Sequence, residues 1–349
     1  MLAIGADVHM KTTTFFALDE EGKPLKEFNR LFKRVPSNLE GYSQVCGYLE
    51  GKEYQILVEN SSKTHDVEWI AEELCMNMIV GHSPDLKKIT QSDTKTDDND
   101  AEDLAMYLLA RFAGAMQFHV CYMCDRETMM NRQLCRLAKL EMMERGKIKR
   151  RIRSHALVFG IQLGKIDLTS KTAMKMLRIK NDPIFDGLVS MMEDSLRRQK
   201  ELEKLIEQKF KGDRIYEKVC EIPYFGSVTG AYLSSYIADI SRFPDSKSFV
   251  ASLGLVPRAR NSGEKVSHCT ITKKGDPHAR WLLIQATIGH VRGCADSPGT
   301  EFFNRKNGGS LAERKEREEE IVLNRSAIVA ASAKMATIIY TLVVKDRHW

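Results

Sequence analysis

LAIGADVH (2–9) and TTFFALDE (13–20) are two short β-type runs separated by polar residues, and EGK (21–23) after the second is a turn signal. A third candidate strand, LKEFNRLFKR (25–34), follows them. SNLEGYSQVCGYL (37–49) then takes helical spacing, with Ser37 placed to cap it. YQILVEN (54–60) reads as a buried strand, HDVEWIAEEL (65–74) as a helix and MNMIVGHS (76–83) as another strand. From Asp97 the spacing is helical again. Three strands, a helix, then strand and helix in alternation is the order of an RNase H-like α/β sheet, a scaffold of many nucleases.

Beyond this region the character changes. From about 126 to 212 glycine is scarce, and charged residues alternate with Leu, Met and Ile at helical periods. MMEDSLRRQKELEKLIEQKF (191–210) predicts a long helix with coiled-coil potential. Met192, Leu196, Gln199, Glu203 and Ile206 fit only part of a heptad, whereas Leu196, Leu202, Leu205 and Ile206 fit an amphipathic stripe better. The expectation is a helical hairpin joining two domains. Arg132–Arg153 holds nine Lys or Arg against two Glu, which reads either as a solvated helix face or as a nucleic-acid-facing surface. A compact C-terminal domain begins near Ile215. The expected boundaries are 1–125, 126–212 and 213–349.

Composition fits this division. A chain of 349 residues with 43% hydrophobic and 29% charged residues suits two cores and a connector. The net charge of +6 is mild, so its distribution carries more information than its sum. The sequence shows no apolar run approaching the roughly 20 residues of a membrane span and no basic-then-apolar leader, and reads as cytoplasmic, in a bacterial or archaeal cell. Of eight cysteines only Cys121 and Cys124 form a CxxC, and no second ligand pair follows nearby, so reduced thiols are expected rather than zinc.

Four carboxylates stand out by position. Asp7 lies inside an apolar strand, where Asp is depleted, and Glu59 ends another. Asp97 and Asp100 lie three apart at the start of a helix whose stripe continues through Ala101, Leu104 and Leu108, so both point where that helix packs on the sheet. Asp98, Glu102 and Asp103 are assigned to the helix dipole or to solvent. Two strands and one helix thereby predict four oxygen donors in one place, a set suited to Mg²⁺. Two such ions activate an attacking oxygen and stabilise a leaving one in phosphoryl chemistry. Taken singly, each acid also has a plain structural reading.

In the last third, CEIPYFGSVTGAYLSSYI (220–237) is similar to a helix-hairpin-helix, though a simple helical corner explains the IPxxG equally well. FVASLGLVPRARNSGEKVSHCTITKKGDPHARWLLIQA (249–286) contains a basic loop with six Lys or Arg against two acids between Pro257 and Arg280. Ser262 sits in it beside Gly263, which leaves a hydroxyl accessible; a turn serine accounts for those local features too. Arg258, Arg260, Lys265, Lys273, Lys274 and Arg280, with Arg150 and Arg151 of the connector, are the expected phosphate contacts.

Asp7, Glu59 and the K-T-D-x-x-D-A of Lys95 to Ala101 resemble the DEDD signature of insertion-sequence transposases of the IS110 family. IPYFG (222–226), ISRFPDSKSFVASLGLVP (240–257), NSG (261–263), ITKKGDPHAR (271–280) and NRSAIVAASAKMATIIYTLV (324–343) resemble that family's C-terminal transposase domain, in order. The resemblance implies a RuvC-like domain, a coiled-coil connector and a mostly α, serine-bearing domain that form one composite active site. It implies strand exchange through a phosphoserine at Ser262, with Mg²⁺ on Asp7, Glu59, Asp97 and Asp100. It implies donor and target DNA, a structured bridge RNA as guide, and dimers assembling to a tetramer. Family loops often carry two adjacent hydroxyl residues before the glycine; here the pair is Asn261 and Ser262, with Ser267 a distant alternative. Two rival readings are a hydrolytic RuvC-like nuclease or junction resolvase, which needs the acids but not Ser262, and a non-enzymatic basic nucleic-acid-binding protein.

Overall fold

The computed structural model describes residues 1–86, 97–257, 270–309 and 324–349, with 97–99 described by backbone only. The chain divides into two compact units, Met1–Arg126 and Glu127–Trp349.

The first unit is built on a five-stranded mixed sheet of order β3-β2-β1-β4-β5. β1 (Leu2–Val8) pairs antiparallel with β2 (Thr12–Leu18) and parallel with β4 (Tyr54–Glu59), which pairs parallel with β5 (Met78–Gly81). The segment read as a third strand forms a helix instead, α1 (Lys26–Leu31), and β3 shrinks to Val35–Pro36 beside β2. Phe28 and Phe32, four apart, share one face in a strand and in a helix alike, so their spacing does not decide between the two; both are buried in the core of this unit. Asn38, not Ser37, caps α2 (Leu39–Leu49) by accepting from the Gly41 amide. Ser37 instead joins a buried hydroxyl cluster, 2.8 Å from Thr13, which also meets Tyr42 at 3.1 Å.

Both faces of the sheet are covered, which is why β1 and β4 are so apolar. On one face Ile4, Ala6, Ile56 and Val58 pack against Phe28 and against Tyr42, Val45 and Leu49 of α2 and Val67 and Ile70 of α3 (Thr64–Glu73). On the other, Ala3 and Leu57 pack against Leu104, Tyr107 and Leu108 of α5 (Asp97–Phe112), with α4 (Ser83–Leu86) contributing Leu86. α5 lies directly on β1. A Cβ on Gly5 would overlap the Ala101 carbonyl oxygen and stand 2.5 Å from the Ala105 nitrogen, so only glycine permits this approach.

The second unit is helical. α6 (Arg126–Val158) and α8 (Pro183–Lys209) run antiparallel, linked by Glu127–Lys209 at one end, Glu141–Arg198 in the middle and His155–Asp182 at the other. Ile148, Ile152 and Ala156 meet Phe185, Leu188, Val189 and Met192 between them, closed by α7 (Lys171–Arg178). The buried positions of α8 are Phe185, Leu188, Met192, Ser195, Gln199 and Ile206, with Val189 beside them, spaced by threes and fours. Polar Ser195 and Gln199 belong to this seam, while Leu205 is exposed. Ser195 is accommodated because its hydroxyl donates to Glu141 at 2.9 Å.

The base of this hairpin shares a core with α9 (Arg214–Cys220), α10 (Ser227–Ile237), α11 (Ser246–Ser252), α12 (Pro277–Gly293) and a final helix, α14 (Arg325–Val344), while α13 (Pro298–Asn307) packs alongside. α14 corrects one expectation: it is long and apolar enough, by length and composition, to cross a membrane. Alanine and serine dilute its apolar run in the sequence. In the fold it is a core helix, with Ala331, Met335, Ala336 and Ile339 at most 1% exposed.

Candidate active site

The sheet places two of the predicted carboxylates. Ala3, Gly5 and Asp7 alternate onto the α5 face of β1, and Leu57 and Glu59 onto the same face of β4. Ala6 pairs with Val58, so Asp7 and Glu59 are the next residues at the carboxyl ends of two adjacent parallel strands. That edge is where open α/β sheets hold ligands. Asp100 lies on α5, one residue before the Ala101 that sits on Gly5. The Asp97 backbone begins the same helix, one turn earlier.

Charge at this edge is dense. One Asp7 oxygen lies 2.9 Å from Nε2 of His9, a residue that the sequence pattern did not single out. Its spacing of two from Asp7 in an alternating strand is the signal that would have found it. Asp103, assigned above to the helix dipole or to solvent, is half-buried; its carboxyl is pushed up by burial and then by the Asp100 charge. Further along the edge, after β5, Asp85 accepts from His119 at 2.5 Å and lies 3.2 Å from His82. The His119 bond leads in holding its carboxyl well below the usual range.

The donor chemistry fits a hard divalent ion: carboxylate oxygens from two strands and one helix. Among the described residues no three His, Cys, Asp or Glu side chains already form a closed metal-binding group. The Asp97 side chain lies outside the described residues.

In the second unit the predicted basic loop is described at its ends. Ser262, Arg258, Arg260 and Lys265 lie outside the described residues. On either side of them Pro257 bridges to Ile271, and the Thr272 amide donates to Val256 at 2.8 Å, so the loop leaves and returns through one short stem. Gly275, at φ +110°, lets this stem press on α11; a Cβ there would overlap the Ser252 carbonyl oxygen. Lys273 and Lys274 are exposed beside it. Arg280 is half-buried and donates to the Leu253 carbonyl at 3.0 Å, fixing the same corner. Arg150 and Arg151 are exposed on α6 and make no ion pair among the described residues.

Other cations of Arg132–Arg153 are structural. Arg132 donates to the Ser235 carbonyl at 2.9 Å, and Arg136 to the Tyr232 hydroxyl at 3.1 Å. Tyr232 donates in turn to Asp276 at 2.6 Å, and Lys139 Nζ lies 3.1 Å from His278 Nδ1. Asp276 caps α12, accepting from the His278 and Ala279 amides with Pro277 in the first turn. Burial raises its pKa, but the Tyr232 bond, the two amides and the Arg136 charge together hold it below the usual range. This network was not legible as a site from the charge count.

Residues 216–298, which include this corner, match the sequence profile of the "Transposase IS116/IS110/IS902 family". The matched segment lies within the second unit. Similar proteins include the transposase for insertion sequence element IS1328 of Yersinia enterocolitica, 33% identical over 85 residues, which cover 24% of this chain and 25% of that protein. A "Probable family 20 transposase" of Pseudomonas aeruginosa is 28% identical over 145 residues, 42% of this chain and 40% of that protein. The transposase for insertion sequence element IS1111A of Coxiella burnetii is 31% identical over 136 residues, 38% and 34%. The matches span between a quarter and two fifths of these relatives' length.

Proposed function

We propose that this protein is a DNA transposase that cuts and rejoins DNA strands through a covalent phosphoserine at Ser262, guided by a bridge RNA and working as a tetramer. The observation that carries the reading is the transposase match over 216–298. The front unit supports it: a mixed sheet with helices on both faces suits an RNase H-like, RuvC-like domain, and Asp7 and Glu59 stand at the carboxyl ends of adjacent parallel strands.

Asp7 and Glu59 would hold Mg²⁺ with Asp97 and Asp100. When bound, Mg²⁺ supplies positive charge for the phosphate under attack. Ser262 Oγ loses its proton and bonds to the scissile phosphorus as the bond to the leaving deoxyribose oxygen breaks; that oxygen is protonated to a free hydroxyl. A hydroxyl from the exchanged strand then attacks the phosphoserine, restoring a phosphodiester and freeing the serine. The ester conserves the bond, so rejoining needs no ATP. Lys273 and Lys274 hold the strand through its phosphates, as exposed cations do.

The test is strand transfer by Asp7→Asn and Glu59→Gln proteins. Each is expected to bind DNA with near-normal affinity and to yield at least about a hundredfold less product, the loss of several kcal/mol of transition-state stabilisation. Full activity in Asp7→Asn rejects the metal assignment.

A further inference from the structure

In the second unit, α7 and α8 line a groove of about 710 Å³, a size usual for ligand clefts. Lys171, Lys175 and Arg178 recur at four and three residues along α7 and share one face with the buried Met174, while Ala173 and Leu177 are buried on the other. Arg197 and Lys200 of α8 line the same groove, and Met174 and Leu196 form its apolar floor. Of the several acids on α8 only Glu193 reaches it, and Arg178 answers that charge at 2.7 Å. Arg197 meets Asp194 and Glu201. Among the described residues Lys171, Lys175 and Lys200 form no ion pair. A merely solvated helix face would not need a concave site with an apolar floor and basic walls whose one acid is already paired.

We propose that this groove binds single-stranded nucleic acid, its lysines on successive phosphates and an unpaired base against Met174 and Leu196. The wall charge answers a polyanion, and the floor gives a flat apolar base a place that a bare phosphate would leave empty. The inference goes beyond strand exchange: it assigns a binding surface outside both the acidic edge and the serine loop.

The test uses the full chain with the paired substitution Lys175→Ala and Lys200→Ala, and short fluorescein-labelled single strands of DNA and RNA of one sequence. Anisotropy is read in EDTA across a salt series, so no cleavage enters and failure here leaves the transposase reading standing. Losing two contacts is expected to lower the slope of log K against log salt by about 1.4 and to weaken binding about tenfold at low salt. The Lys175→Arg, Lys200→Arg pair is expected to keep both, which separates lost contacts from lost fold. A drop with both strands or with either one supports the groove and names its strand. Unchanged slopes with both overturn it, as does a loss confined to phosphatidylserine vesicles.

Discussion

Gly5 of β1 lies directly beneath Ala101 of α5, so close that any side chain on the glycine would overlap the helix backbone. This contact sets the height of the helix carrying Asp97 and Asp100 over the strand carrying Asp7. Gly5→Val is therefore expected to destabilise the first unit by about 3 kcal/mol, the upper end of overpacking costs, because backbone rather than a rotamer must move. Urea unfolding measures it. Gly47, in α2, has open space within 4 Å of where a Cβ would stand, so Gly47→Ala is the matched control and is expected to be neutral or stabilising by up to about 1 kcal/mol. Equal effects at both positions would contradict this packing.

Asp276 ties α12 to Tyr232 and Arg136, and its carboxyl is held below the usual value of 3.8. A carboxylate with a depressed folded pKa contributes stability above its unfolded pKa, near 3.9, and loses it as pH falls toward the folded value. Thermal unfolding of the wild type is expected to weaken through this window below about pH 4, and Asp276→Asn to show a shallower acid limb with lower stability at neutral pH. An unchanged acid limb in the variant would remove Asp276 from the account.

The cations divide into two groups with different expected signatures. Lys273→Ala with Lys274→Ala is expected to lower the salt slope for duplex DNA by about 1.8, two contacts at about 0.9 each, with little change in stability. Arg136→Ala is expected to leave the slope alone and to lower stability by about 1–3 kcal/mol, because Asp276 and Tyr232 lose a half-buried charged partner. The reverse pattern would exchange the roles of the two groups.

How much of this was legible in the sequence depends on whether the signal was local. The order of strands and helices, and the alternation that puts Asp7 and Glu59 on one face, follow from period-two patterning in β1 and β4. The segment 25–34 misled because Phe28 and Phe32 fit either a strand or a helix until their shared core is known. Gln199 was legible as part of a heptad, but Ser195 hid its share of the α8 seam, because that hydroxyl is buried against Glu141 of another helix. The Arg136–Tyr232–Asp276 network joins residues far apart in sequence, so no spacing reveals it; a raw charge count places Arg136 among the phosphate contacts instead.

The measurement that bears most directly on the proposed function is covalent trapping. Labelled duplex DNA from both flanks of this coding sequence, with RNA transcribed from those flanks and Mg²⁺, is incubated with wild-type and Ser262→Ala protein and resolved under denaturing conditions. The account predicts an SDS-stable protein–DNA adduct with wild type, destroyed by protease, and none with Ser262→Ala, which still binds the DNA. DNA cleaved by Ser262→Ala at the wild-type rate, with no adduct from either protein, would contradict the phosphoserine route and assign the acids to hydrolysis.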